Sequence, residues 1–419
     1  MKKYSIIYCI MIFVSLGLIS FSCGEKKIEP VILKVAINQG PEGDAIISLA
    51  KDYKSAKIEI IKLPYQALRE QLILTLNDDR ADFDVVMIDD PWFPQLADKL
   101  APIKNVPAAL LDDIVPASLN LSKFPYEKGE LRALPFVGNT QLLFYRKDIL
   151  SAMGILEIPK DWQSLAKMAI EITNKSEMVN GKKVYGYTIR GRSGAPIVTD
   201  FLPIYWSLGG QLVDDRGAPK KEHINKEKLM EALKIYKSLL NSSPPGSNNF
   251  DWSEMTAAFI NGQSIFQLNW PAAISKIDSE IKTEKNSQAW GVALPPGNKN
   301  EDGTSMIGNW LLAIPSDSKS KELSEELIVW VMEQQGRVAN SGNPPTRKSV
   351  FKLLSSKSGF EYFDIILAAL ERSTPRARTE QWSKIEDAIS RSVSKFLVDN
   401  LSEEIAADMI ISDINSLFN

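Results

Sequence analysis

The sequence predicts an α/β protein whose sheets are mainly parallel and covered on both faces by helices. Two observations carry that expectation. Short apolar, strand-like runs alternate along the chain with stretches of helical periodicity, and strands separated by helices require crossover connections. The 419 residues, 44% hydrophobic and 24% charged, also have the composition of an ordinary globular chain and the length of two to three domain-sized units.

The elements follow in order. Residues 31–37 are an apolar run broken by Lys34, a strand, and 43–54 carry Ile46, Ile47, Leu49 and Ala50 at helical spacing. Residues 57–63 alternate as a strand and 65–76 return to helix. Residues 83–88 are a third strand, closing on the acidic pair Asp89-Asp90 before Pro91. The middle is richer in helix: Leu165, Met168, Ala169 and Ile172 form one apolar stripe, and Leu229, Ala232, Leu233, Tyr236 and Leu240 another. Short strands interrupt at 184–189, 264–268, 289–294 and 310–314, and the tail 382–418 is helical in pattern. Breakers at 242–246 and 295–303 read as surface loops, and those at 341–345 suit a lobe boundary.

The N-terminus has its own logic. Lys2 and Lys3 precede an apolar run from Ile6 to Phe21, with no acidic residue before Glu25, so residues 1–22 read as an export signal. The run ends Ser20-Phe21-Ser22-Cys23-Gly24, which resembles a bacterial lipobox, with Ser20 where leucine is usual. That resemblance implies cleavage before Cys23, lipid on its sulfur, and a polar tether over 23–31. Cys9 then leaves with the signal, and a mature chain without a thiol excludes disulfides and cysteine chemistry.

Several functions lack their residues. A net charge of −3 gives no footprint for nucleic acid. The single histidine, His223, lies in a charged stretch, so a triad or a histidine-rich metal site has little to build on. Gly191-Arg192-Ser193-Gly194 has neither dinucleotide-binding spacing nor a phosphate-binding lysine. No cofactor and no metal is expected. Carboxylates are plentiful, so a glycosidase-style pair stays open.

The aromatics are more informative. Of nine tryptophans, Trp92, Trp206, Trp252, Trp270 and Trp310 stand beside loop-formers, while Trp162, Trp290 and Trp330 sit inside regular patterns and read as core. A tryptophan at a strand end presents a flat apolar face with an N–H handle, which suits the C–H faces and hydroxyls of sugars; the alternative for each is simple packing. Asp89 and Asp90 close a strand, where open α/β sheets bind ligands, or else cap the next helix. Gln39 has the same position after the first strand. Asn139 and Thr140 interrupt an apolar stretch and suit a cleft, and Arg376 with Arg378 suits either a hydroxyl clamp or a solvated pair.

A string of segments in register resembles the bacterial extracellular solute-binding proteins of carbohydrate ABC importers, maltose/trehalose-binding type. They are Asp84 to Trp92 with Leu100-Ala101-Pro102-Ile103, Leu143 to Asp148, Pro159 to Trp162, Trp206 to Gly210, Phe259 to Gln263, Gly308-Asn309-Trp310 and Pro344 to Arg347. The resemblance covers about residue 32 to the C-terminus. It implies a two-lobe periplasmic-binding-protein fold of type II, with an N-lobe of 32–138 and 306–342 and a C-lobe of 139–305 and 343–419. The implied ligand site comprises Asp89, Asp90, Asn139, Thr140, Trp206, Trp252, Trp270, Trp310 and Arg376; Gln39, Trp92 and Asn309 join it by position. The expected molecule is a monomeric, lipid-anchored receptor that captures a small neutral carbohydrate or polyol and hands it to membrane permease subunits. A secreted carbohydrate-active enzyme and a surface adhesion lipoprotein are the alternatives.

Overall fold

A computed structural model describes residues 31–78, 82–179, 181–212, 224–281, 289–299 and 303–418, apart from the side chains of Asn77 and Asn340. The signal 1–22, Cys23 with the tether up to Pro30, and His223 lie outside the described residues.

The strands that matter for the site are β1 (Ile32–Asn38), β2 (Lys57–Leu63), β3 (Val85–Asp89), β4 (Ala133–Val137), β5 (Leu142–Tyr145), β6 (Tyr185–Tyr187), β7 (Ser264–Asn269), β8 (Gly291–Ala293), β9 (Ser305–Met306), β10 (Trp310–Ala313) and β11 (Ser373–Thr374). They build two principal sheets, one ordered β2-β1-β3-β10-β4 and the other β6-β7-β5-β8. In each, all strands run one way except one: β10 is antiparallel to β3 and β4, and β5 to β7 and β8. The reversed strands lie next to the inter-sheet crossings, so each enters its sheet from the opposite end. Strand chemistry matches position. β3 lies mid-sheet and is buried throughout, as its Val-Val-Met-Ile run requires, while the edge strand β2 turns Lys57, Glu59 and Lys62 outward.

The helices that matter for the site are α1 (Pro41–Ala50), α2 (Tyr65–Asn77), α3 (Trp162–Lys175), α4 (Ala195–Ser207), α5 (Lys226–Asn241), α6 (Trp252–Ile260), α7 (Lys348–Ser355), α8 (Tyr362–Glu371), α9 (Trp382–Val398) and α10 (Glu403–Ser416). Polar caps set several starts. The Asp161, Asn225 and Ser402 side chains accept from backbone N–H groups in the first turns of α3, α5 and α10, and Asp251 forms a capping box with Glu254 at α6. The tail is two helices rather than one, because Asn400 adopts a left-handed φ of 56° and Ser402 restarts the chain. The 242–246 turn is only partly at the surface. Ser242 and Ser243 are buried, the Ser242 carbonyl accepts from Tyr187 N–H, and the Ser243 hydroxyl accepts from Ile189 N–H.

Residues Ile32–Asn419 form one compact unit with two hydrophobic cores. The first sheet holds one core, which continues through α7 and α8 onto Phe144 of the second sheet and Trp290 just before β8. The second gathers α3, α4, α5, α9 and α10 around Leu143, Phe266 and Leu268. Trp162 and Trp290 are core, as their patterns implied, and Trp330 packs half-buried against Tyr53. Between the sheets the chain crosses in close-packed segments. Gly138 N–H donates to the Pro344 carbonyl, Gln141 N–H to Met306, Gly308 N–H to Asn139 and Ile307 N–H to Thr374. A Cβ on Gly138 would stand 2.3 Å from the Pro345 carbonyl oxygen, so the crossing admits only glycine there.

Candidate ligand cleft

The site is built outward from the carboxyl end of β3. Asp89 is the last residue of that strand, and a short turn over Asp90–Trp92 follows. Asp89 accepts a hydrogen bond from the Tyr65 hydroxyl at 2.7 Å and from Arg376 at 3.1 Å. Asp90, wholly buried, accepts from Arg376 at 2.9 Å and Arg378 at 3.3 Å. Arg378 also donates to the carbonyls of Asp90 and Leu121 and lies over the rings of Phe93 and Tyr126. Both arginines come from the strap that joins α8, in the first core, to α9, in the second. The strap therefore ties the second core to the end of β3.

Electrostatics at this knot follow from burial. Desolvation pushes the Asp90 carboxyl up to about 6, although Arg376 and Arg378 pull it down. Desolvation opposes the charge on Arg376, but Asp89 and Asp90 outweigh it and hold the guanidinium above its ordinary range. Tyr65 is held well above the usual phenol value by burial and then by Asp89. Glu386, in the second turn of α9, is pushed up to about 7 by burial, which the Arg376 charge only partly offsets. Burial likewise raises Glu42, near the start of α1, against its hydrogen bond from Asn38.

Aromatic rings line the same region. Tyr65 and Trp92 lie 4.6 Å apart between centroids, and Trp310 meets both edge-on at about 6 Å. Trp270 packs over Gly308, where a Cβ would come within 2.8 Å of the indole and 3.7 Å of Arg376.

Two cavities flank the strap. A smaller one, about 210 Å³, is lined by Tyr65, Gln66, Arg69, Trp92 and Gln95 on one side and by Gly194, Glu380, Trp382, Glu386 and Asp387 on the other. A larger one, about 630 Å³, lies by Tyr126, Trp206, the 209–212 turn, Thr304 and residues 374–378. Volume favours the second, but topology favours the first. Tyr65 and Trp92 follow the carboxyl ends of parallel β2 and β3, the position at which open α/β sheets bind ligands. Among the described residues no His, Cys, Asp or Glu group is arranged to hold a metal ion.

The family model of bacterial extracellular solute-binding proteins matches residues 38–338, well over half of the chain. The chain belongs to this family. A probable ABC transporter-binding protein of Deinococcus radiodurans is 26% identical to this solute-binding protein over 331 residues, 77% of each chain. The mannitol-binding protein of Pseudomonas aeruginosa is 27% identical over 281 residues, 65% of this chain and 62% of that one. Maltose-bound MalE3 of T. maritima has a similar structure, with a TM-score of 0.79 at 25% identity over 92% of this chain and 100% of that one. The solute-binding protein thus has the two-lobe periplasmic-binding-protein fold, works outside the cytoplasm, and belongs among binders rather than enzymes. No helix among its described residues is long and apolar enough to cross a membrane.

Within this solute-binding protein, the residues singled out from sequence separate into groups. Asp89, Asp90, Trp92, Trp310 and Arg376 come together at the end of β3, and Trp270 joins them across Gly308. Asn139, Thr140 and Asn309 lie buried at the crossings. Thr140 donates to the Ser305 hydroxyl at 2.7 Å, whereas neither amide atom of Asn309 has a partner among the described residues. Trp206 lines the larger cavity instead. Gln39 is exposed, and Trp252 opens α6 with Lys276 over its ring; neither lines these two cavities. Sequence reasoning passed over Asn38, Glu42, Tyr65, Arg69, Trp382 and Glu386. A position in the first turn of a helix that follows a parallel strand was the available signal for Tyr65 and Glu42; for Glu386 there was none.

Proposed function

We propose that this protein captures a sugar or polyol between its lobes and delivers it to the permease of an ABC importer. The observation that carries the reading is the pocket beyond β2 and β3, walled by Tyr65, Trp92 and Trp382 and edged by Gln66, Arg69, Gln95 and Glu386. Aromatic faces suit sugar C–H surfaces, and amide, guanidinium and carboxylate groups suit hydroxyls in pairs. The names of the mannitol-binding relative and the maltose-bound neighbour support the same class. The lobes of the proposal are 32–138 with 306–342, and 139–305 with 343–419; strand membership in the two sheets supports the division as far as Ala313, while α7 and α8 pack into the first core. A ligand that touches both lobes stabilises the closed arrangement, because only that arrangement supplies both sets of contacts. The receptor works as a monomer, held to the membrane by lipid on Cys23; stable anchoring takes more than one acyl chain.

Thermal-shift measurement against sugars, polyols, amino acids and peptides tests the reading. A ligand at about a hundredfold excess over Kd stabilises by about 2.7 kcal/mol, enough to raise Tm visibly. The expected result is a shift with a carbohydrate or polyol. Stabilisation by amino acids or peptides, with none by any carbohydrate, refutes the substrate class. Mass spectrometry of membrane-fraction protein reads the anchor: a diacylated or triacylated Cys23 N-terminus supports it, and an unmodified one removes it.

A further inference from the structure

The charges around the cleft are unbalanced. The smaller cavity is lined by Glu380, Glu386 and Asp387, with Arg69 as its one cation among the described residues. Behind its Tyr65 wall, Asp89 and Asp90 are matched by Arg376 and Arg378, so that knot is neutral. Glu42, whose carboxyl feels Asp89, adds another buried acid without a cationic partner. Among the described residues, the cavity and the knot behind it together hold five carboxylates against three guanidinium groups.

We infer that the ligand is a polyhydroxylated amine, an amino sugar or amino-alditol, whose ammonium sits between the rings of Tyr65, Trp92 and Trp382 and the carboxylate of Glu386. The inference rests on the sugar or polyol reading and narrows it. Aromatic faces attract a cation through the ring quadrupole, and more strongly where water is excluded. A carboxylate beside them adds a charge-assisted hydrogen bond. Glu386 accepts no hydrogen bond from the described side chains in the structure, although it faces Arg376, Asp89, Arg69 and Asp387. The helix macrodipole accounts for Glu380 just before α9, but it fades within the first turn and does not reach Glu386. Trp382 stands beside it in the pocket wall, 3% exposed, with a buried indole N–H that meets no acceptor among the described residues. The raised carboxyl of Glu386 fits the same picture: its negative charge lacks full compensation until a cation arrives.

Isothermal titration calorimetry with matched pairs tests the inference: glucamine against glucitol, and glucosamine against glucose and N-acetylglucosamine. In at least one pair the free amine binds about tenfold tighter or more, and the gap narrows as salt rises. Glu386→Gln lowers the amine-to-neutral affinity ratio, and Arg69→Gln, which removes the competing cation, raises it. If neutral members bind as tightly as the amines or tighter, or if the two variants leave the ratio unmoved, the inference is overturned while the sugar or polyol reading stands. If none of these sugars, alditols or amines binds and an amino acid or peptide does, the underlying reading falls with it.

Discussion

Removing the Arg376 guanidinium is the sharpest perturbation of the knot that ties the strap to β3. Arg376 is 4% exposed and bonds two carboxylates at once, so Arg376→Met leaves both with less compensation in a dry site. Breaking a buried ion pair from one side costs about 3–5 kcal/mol. Asp89 keeps the Tyr65 hydroxyl and Asp90 keeps Arg378, which places the loss at the low end, about 3 kcal/mol. The loss also depends on pH. Asp90 already titrates at about 6, above its unfolded value, and losing Arg376 raises it further. A carboxyl whose folded pKa is raised contributes a penalty that is present above that pKa and fades as pH falls through it. The deficit is therefore largest at neutral pH and shrinks toward about pH 5. Urea unfolding of wild type and variant at both pH values, followed by circular dichroism, measures it. A neutral-pH deficit below about 1 kcal/mol, or a deficit that does not shrink on acidification, refutes the argument.

Three further outcomes follow from the same geometry. Tyr65→Phe deletes the O–H donor to Asp89 and lowers stability by about 1–2 kcal/mol in urea unfolding, a loss that Asp89→Asn in the same chain reduces. Gly308→Ala places a methyl 2.8 Å from the Trp270 ring and lowers stability by about 1–3 kcal/mol in urea unfolding; unchanged stability contradicts a close Trp270–Gly308 contact. Asp200, buried in the second core, accepts from Arg190 N–H at 3.0 Å and is pushed by burial up to about 7. Its folded pKa lies above the unfolded one, so wild-type stability falls by up to about 4 kcal/mol as pH rises from about 4 to 7. Asp200→Asn flattens that part of the stability–pH curve, and an unaltered curve refutes the assignment.

Strand and helix positions were legible because period-two and helical patterns report burial directly. The 57–63 strand is reproduced residue for residue, and the helix around 165–172 extends to Trp162–Lys175 because Asp161 caps it. The tail was legible as helical but not as two helices, since Asn400 breaks it through its backbone without interrupting the apolar pattern. The meeting of Asp89, Asp90 and Trp92 at the carboxyl end of β3 was legible from the rule about strand ends, which needs only the order of elements. Trp206 and Trp252 fall away from the smaller cavity because a loop-side tryptophan reports accessibility, not which cavity it faces. Glu386 and Trp382 were invisible for a related reason. They reach the cleft from a helix more than 290 residues after β3, and no local pattern encodes that meeting.

The account stands most directly on where the ligand lies. A crystal structure with the sugar, polyol or amine selected by thermal shift decides it. The expected density lies between Tyr65 and Trp92 on one lobe and Trp382 and Glu386 on the other, with the Arg376–Asp89 and Arg376–Asp90 pairs kept beside it. Ligand in the larger chamber against Trp206 and Tyr126, with the first pocket left to water, contradicts the placement of the site and everything derived from it.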